Sequence, residues 1–233
     1  QDLVKAGGQL YKTGNFKESV REFTDAFQQF PDAIAATDFY NCACVYALLG
    51  NPDSAFYFLF QAVNTKNYSN YKNLIIDNDL ISLHNDGRWQ QLTKQMKDYR
   101  LENKKTLDRP LVEMLDTIFY DDQVDRKEWD RLQQQEPGSP KLDTLESMIR
   151  FRDSINVLKI SKLLDQHGWL GYDIIGRDGV QTVFLVIQHA DLAIQEKYLP
   201  MIELAVEKNE LDRNLFALLK DRTLLRTGNK QLY

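Results

Sequence analysis

Cysteine, glycine and proline are all scarce in this 233-residue chain, which has two Cys, eleven Gly and six Pro. Cys42 and Cys44 stand two positions apart, so on a helix their side chains point to different sides and a disulfide between them is not expected. With no further Cys or His nearby, a C-x-C metal site is the poorer reading, and both thiols read as small buried apolar residues. So little Gly and Pro, alongside 43% hydrophobic and 27% charged residues, excludes a disordered chain and favours a folded, helix-rich one. Also missing is any apolar run long enough to span a bilayer, so membrane insertion is not expected. Positive charge is not in excess either: 29 Lys and Arg face 34 Asp and Glu, for a net charge of −5. Residues 1–107 are balanced at twelve of each sign, whereas residues 108–233 carry 17 basic and 22 acidic groups. Without a Lys/Arg block there is no surface for counterion release, and nucleic-acid binding is not expected. No glycine-rich phosphate loop, G-x-S-x-G elbow or H-E-x-x-H helix occurs, so the sequence names no cofactor and no metal. An exported protein whose signal has been removed and a cytoplasmic protein are both compatible with a chain beginning at Gln1.

What is present reads as all-α. In residues 1–67 the small–large–small set Ser19, Phe23, Ala26 recurs 36 positions later as Ala55, Leu59, Ala62. Small residues flanking a large one let the second helix of a pair pack closely on the first. Gly14-Asn15 and Gly50-Asn51-Pro52 supply the turns, and Pro52 suits a first helical turn. Gly7, Phe16, Phe23, Ala26 and Pro31, then Tyr46, Gly50, Ala55 and Ala62, resemble two tetratricopeptide repeats, though two residues longer than the usual ~34-residue period and with Asn67 where Pro is common. The resemblance implies a short helical solenoid whose concave face takes a peptide or protein segment. Residues 68–106 read as its helical cap, with Asp79-Leu80, Leu83 and Arg88-Trp89 resembling the segment that ends short groups of such repeats. His84 reads as a solvent-facing helix end. The charged run Lys97–Lys105 reads as the solvated end of a helix, with the domain boundary near Leu107.

Residues 107–233 read as a second helical domain. The expected helices are 108–120, Leu142–Gln166, Val180–Asp191, Ala193–Lys208 and Asp212–Leu225. Between them lie the loops 136–141, broken by Pro137-Gly138 and Pro140, and 169–179. Leu145, Ile149, Ile155, Leu158, Ile160, Leu163 and Leu164 are the candidate core of the long helix, with Gly168 closing it. The central helix is strongly apolar from Val183 to Ile187 and then turns polar at Gln188, His189 and Asp191, groups that must find partners as they leave the core.

The polar residues beside these apolar runs form the candidate site. Asp122, Gln123 and Arg126 follow the first helix of the domain; Asp153 and Asn156 share a face of the second; Gln188, His189, Asp191 and Gln195 end the central helix and begin the next; Asp221 and Arg222 follow a final apolar run. In this order, DQ-x-x-R, D-x-x-N, G-W, QHAD, DR and a G-x-x-Q element ending in Tyr233 resemble an uncharacterised bacterial family of unknown function, over about residues 108–233. Leu170 departs from the Pro that often follows Gly-Trp in that family. The resemblance supplies candidate residues and no reaction. Read chemically, His189 is a candidate general acid or base oriented by Asp191 or Asp153, and Arg126 or Arg222 a candidate anion binder. A metal held by His189, Asp191 and Asp122 is a weaker variant. The competing structural reading is an ion-pair network joining helix ends, with Asp122–Arg126 and Asp221–Arg222 neutralising one another. Two functions remain open at this point: an interaction module with a small polar ligand pocket, or a hydrolase-type enzyme using His189, Asp191, Asp122 and Asp153 with Gln123, Arg126, Asn156, Gln188, Gln195, Asp221 and Arg222.

Overall fold

The computed structural model describes residues 2–102 and 106–228. Every regular element among them is helical, and the chain is all-α. It divides into two compact units, residues 1–103 and 104–233.

The first unit is built from α1 (Asp2–Lys12), α2 (Phe16–Gln29), α3 (Ala36–Leu48), α4 (Pro52–Lys66), α5 (Tyr71–Ile76) and α6 (Gly87–Glu102), with a 3-10 segment at Asn78–Leu83. α1 pairs with α2 and α3 with α4. The repeated small and large residues are the seams of those pairs: Ser19, Phe23, Ala26, Ala55, Leu59 and Ala62 are all at most 1% exposed. Gly7 is small for a reason, because a Cβ there would stand 3.1 Å from the Phe23 ring, and Ser19 Oγ donates to the Gly7 carbonyl at 2.8 Å. Cys42 and Cys44 are buried free thiols. Asn51 caps α4 by accepting from Ser54 N, with Pro52 in the first turn. His84 differs from its expected placement at a solvent-facing end. Its ring is half-buried against Trp89, with centroids 4.2 Å apart, and burial lowers its pKa. The pair Lys104-Lys105 lies outside the described residues.

Among the described residues the second unit has five helices: α7 (Arg109–Gln135), α8 (Lys141–His167), α9 (Tyr172–His189), α10 (Leu192–Glu207) and α11 (Arg213–Arg226). α9 is its centre. Val180, Val183, Phe184, Val186 and Ile187 are at most 2% exposed and share one core with Leu115 and Ile118 of α7, Ile160 and Leu164 of α8, and Tyr198 and Ile202 of α10. This burial is the main stabilising term of the unit, at about 1.5–3 kcal/mol for each large apolar side chain taken fully from water. Gly179 lets α9 approach α7, since a Cβ there would meet Ile175 at 2.8 Å and Leu115 at 3.1 Å.

Three sequence expectations are corrected here. Helix α7 does not end at 120 but continues to Gln135, because carboxylates at 122 and 125 on its inner face are buried against partners from other helices. Residues 172–179 are not a loop: they are helical, bent at Gly176, whose φ of 70° no helix interior accommodates, so α9 changes direction there. In α8, Leu158 is 72% exposed while Asn156 is 1% exposed. Ile160, Leu163 and Leu164 are buried as expected, and at this one turn the helix points Asn156 inward and Leu158 outward.

Candidate functional site

The site forms where α7, α8 and the end of α9 meet. Helical spacing puts Asp122 and Arg126 on one strip of α7, and Asp121 and Asp125 on the adjoining strip. Arg152 and Asp153 face them from α8. Each helix lends an arginine to the other's carboxylates: Arg126 Nη2 donates to both oxygens of Asp153 at 2.8 Å, while Arg152 pairs with Asp121 at 2.9 Å and Asp125 at 2.8 Å. The sequence pairing of Asp122 with Arg126 is therefore corrected. Arg126 spans to α8, where its Nη2 meets both oxygens of Asp153 in a charge-assisted contact.

Asp122 is taken by His189 instead. The His189 Nδ1 and Asp122 Oδ1 atoms are 3.0 Å apart, and Gln123 Nε2 donates to the other carboxylate oxygen at 2.6 Å. The Asp122 side chain is 2% exposed. Burial works to raise its pKa, but the His189 hydrogen bond, with the charges of His189 and Arg126 and the Gln123 contact, holds it below the usual carboxylate range. Asp153 moves the other way. Burial raises it, and the nearby Asp122 adds to that, while Arg126 and His189 offset only part.

His189 Nδ1 has two neighbours that make opposite demands. Arg126 Nε lies 3.2 Å away as a donor, and Asp122 Oδ1 at 3.0 Å as an acceptor. One nitrogen cannot donate and accept at once. A charged, buried carboxylate is the stronger partner, so the proton belongs on Nδ1, pointing at Asp122. Nε2 is then left with a free lone pair and has no hydrogen-bond partner among the described residues. The Nε–H of Arg126, facing another N–H, is likewise left without an acceptor.

The other predicted residues are dispersed to different tasks. Asp191 does not orient His189. It is the N-cap of α10, accepting from Ile194 N at 2.9 Å, which is what a short carboxylate two residues beyond a helix end does most readily. Gln195 is fully buried and donates to the Gln188 carbonyl at 2.7 Å. Arg222 Nη1 donates to that same carbonyl at 3.0 Å and is not paired with Asp221, which is buried on another face of α11. Asn156 is buried with neither amide atom partnered among the described residues, and Gln195 Oε1 is also unpartnered among them. Gly228 is the last described residue of the G-x-x-Q element, and the remainder lies outside the described residues.

Sequence reading missed Asp121, Asp125, Arg152 and Arg226. Arg226 Nη1 donates to the Ala190 carbonyl at 2.9 Å, and its signal was its position one turn beyond Arg222. Asp121 and Asp125 were hidden by ending α7 too early, and with them the partners of Arg152 on α8.

Among the described residues, two side-chain groups bring metal-ligating atoms within 4.8 Å of one another: Asp122, Asp153 and His189 here, and Cys44, Asp77 and Asp79 in the first unit. In the first, Asp153 replaces the Asp191 of the metal variant. The Arg126 guanidinium already supplies the positive charge between those ligands, bonding Asp153 and lying 3.2 Å from the His189 ring nitrogen. In the second, the carboxylates accept from tyrosines: Tyr40 reaches Asp77 at 2.7 Å and Tyr11 bonds Asp79.

A family model described as a family of unknown function (DUF6624) matches residues 113–233. No tetratricopeptide family model matches the chain. No curated protein and no solved structure matches it.

Proposed function

The chain belongs to the family of unknown function DUF6624, whose matched span takes in every residue of the polar cluster, and from that premise we propose that its second unit is a hydrolase-type acid–base site. His189 is the general base, acting through Nε2, and Asp122 is the positioning residue that fixes its tautomer through Nδ1. Arg126, held by Asp153, lies beside the ring as the positive group for charge that develops on a reacting atom. The observation that carries this reading is the 3.0 Å contact between His189 and the buried carboxylate of Asp122, which leaves the far ring nitrogen unpartnered among the described residues.

The test is the tautomer of His189, read from its ring 15N shifts. The Nδ1–H form should predominate in the wild type, and Asp122→Asn should redistribute it. Predominance of the Nε2–H form would place the lone pair on Arg126 and remove the base. Turnover of a panel of model esters and phosphoesters, lost in His189→Ala, is the complementary readout.

For the first unit we infer a short tetratricopeptide-type module that binds a protein segment, supported by the buried small–large–small seams of α1–α2 and α3–α4. In this unit Tyr11 is bonded to Asp79 of its own chain.

A further inference from the structure

Three guanidiniums converge on the end of α9, and among the described residues only one has a carboxylate partner. Arg126 is paired with Asp153. Arg222 donates to the carbonyl of Gln188 and Arg226 to that of Ala190, the residues on either side of His189 in the chain. One turn apart on α11, they reach the same chain segment from the same face. Neither has a carboxylate partner among the described residues. The nearby acids are otherwise engaged: Asp122 on His189 and Gln123, Asp153 on Arg126, and Asp191 on the Ile194 amide. The cost of this crowding registers on Arg222, whose pKa is lowered by burial and then by the charges of Arg226 and Arg126. The local positive excess runs against the composition of residues 108–233, in which acidic groups outnumber basic ones.

One carbonyl contact uses one of the five N–H groups of a guanidinium, so most of the donor fork of each arginine remains for a ligand. Capping the α9 carbonyls accounts for a cation at this helix end but does not call for two of them. We propose that Arg222 and Arg226 are a binding site for the oxyanion of the substrate, a phosphate or carboxylate group seated beside His189. The proposal rests on the acid–base reading of the site and supplies its substrate class. The oxyanion would bridge the two forks, and the acceptor-less Nε–H of Arg126 faces the same ring.

The experiment is calorimetric titration of the whole chain with inorganic phosphate and, separately, with acetate, while following the His189 ring resonances. At least one anion should bind and move the His189 signals. Arg222→Gln and Arg226→Gln should each weaken it about tenfold or more, as expected for loss of a charge-assisted pair. Acetate binding with the same arginine dependence identifies a carboxylate substrate, and phosphate binding alone identifies a phosphoryl one. Arg222→Lys, which keeps the charge and loses the fork, should be intermediate and covers the case in which the Gln variant does not fold. Binding should persist in His189→Gln, because the arginines hold the anion without the ring. Absence of binding by both anions, equal affinity in the arginine variants, or binding that leaves His189 unmoved would each overturn the proposal. A His189 tautomer opposite to that expected, with arginine-dependent anion binding intact, would remove the base and leave the anion site standing.

Discussion

At the scale of single residues, the site is a contest for protons and acceptors. Asp122 has a folded pKa below its unfolded value of about 3.9, so the stability it contributes is present above that value and is lost as pH falls through the folded one. Stability of the wild type should therefore decline from about pH 4 downward, and Asp122→Asn should flatten that decline while costing about 2 kcal/mol at neutral pH. Urea unfolding at a series of pH values measures both; an unchanged acid slope would remove Asp122 from the account. Asp153 has the opposite sign. Its folded pKa is raised, so ionisation above that value is the less favoured state of the fold, and Asp153→Asn should cost less at neutral pH than Asp122→Asn. Asn156 is the third case. Its amide is buried without a partner among the described residues, so Asn156→Leu should stabilise the unit by about 1 kcal/mol. A destabilised Leu variant would mean that the amide has a partner in solution, such as a bound water.

At the scale of helices, two glycines of α9 decide where His189 ends up. Gly176 bends the helix with a φ of 70°, and Gly179 lets the part beyond the bend lie against α7. Gly176→Ala imposes a strained backbone and should cost about 1 kcal/mol. Gly179→Ala forces a Cβ into Ile175 and Leu115, and should cost about 1–3 kcal/mol. Denaturant midpoints give these values, and a Gly179→Ala variant as stable as the wild type would show that α9 and α7 can separate freely. The His189 tautomer should also respond to Gly179→Ala, since the ring's partner Asp122 is carried by α7 itself.

At the scale of the whole molecule, the chain is two compact units with separate cores. Unfolding should accordingly show two transitions, and a core variant in one unit should move only one of them. Gly7→Ala, crowding Phe23, and Gly179→Ala, crowding Leu115, form the diagnostic pair. A single transition shifted by both would mean that the units unfold together.

Much of this architecture was legible from residues alone. The 36-residue recurrence of small and large residues located the seams of the first unit, because close helix approach demands small side chains wherever it occurs. Val183–Ile187 announced the centre of the second unit, since so apolar a run cannot remain in water. The polar residues Asp122, Gln123, Arg126, Asp153 and His189 stood out because each lies beside an apolar run. What the sequence could not reveal was which of them meet. Asp122 bonds His189, 67 positions away, and not Arg126 one turn along; Asp191 caps a helix and leaves the orienting role to Asp122; Arg226, unremarked in the sequence, arrives beside Arg222. Hydrophobic periodicity depends on local geometry and is written along the chain. Pairing of charges depends on which helix faces are pressed together, and that was decided only when the bend at Gly176 and the contact at Gly179 set α9 against α7 and α8.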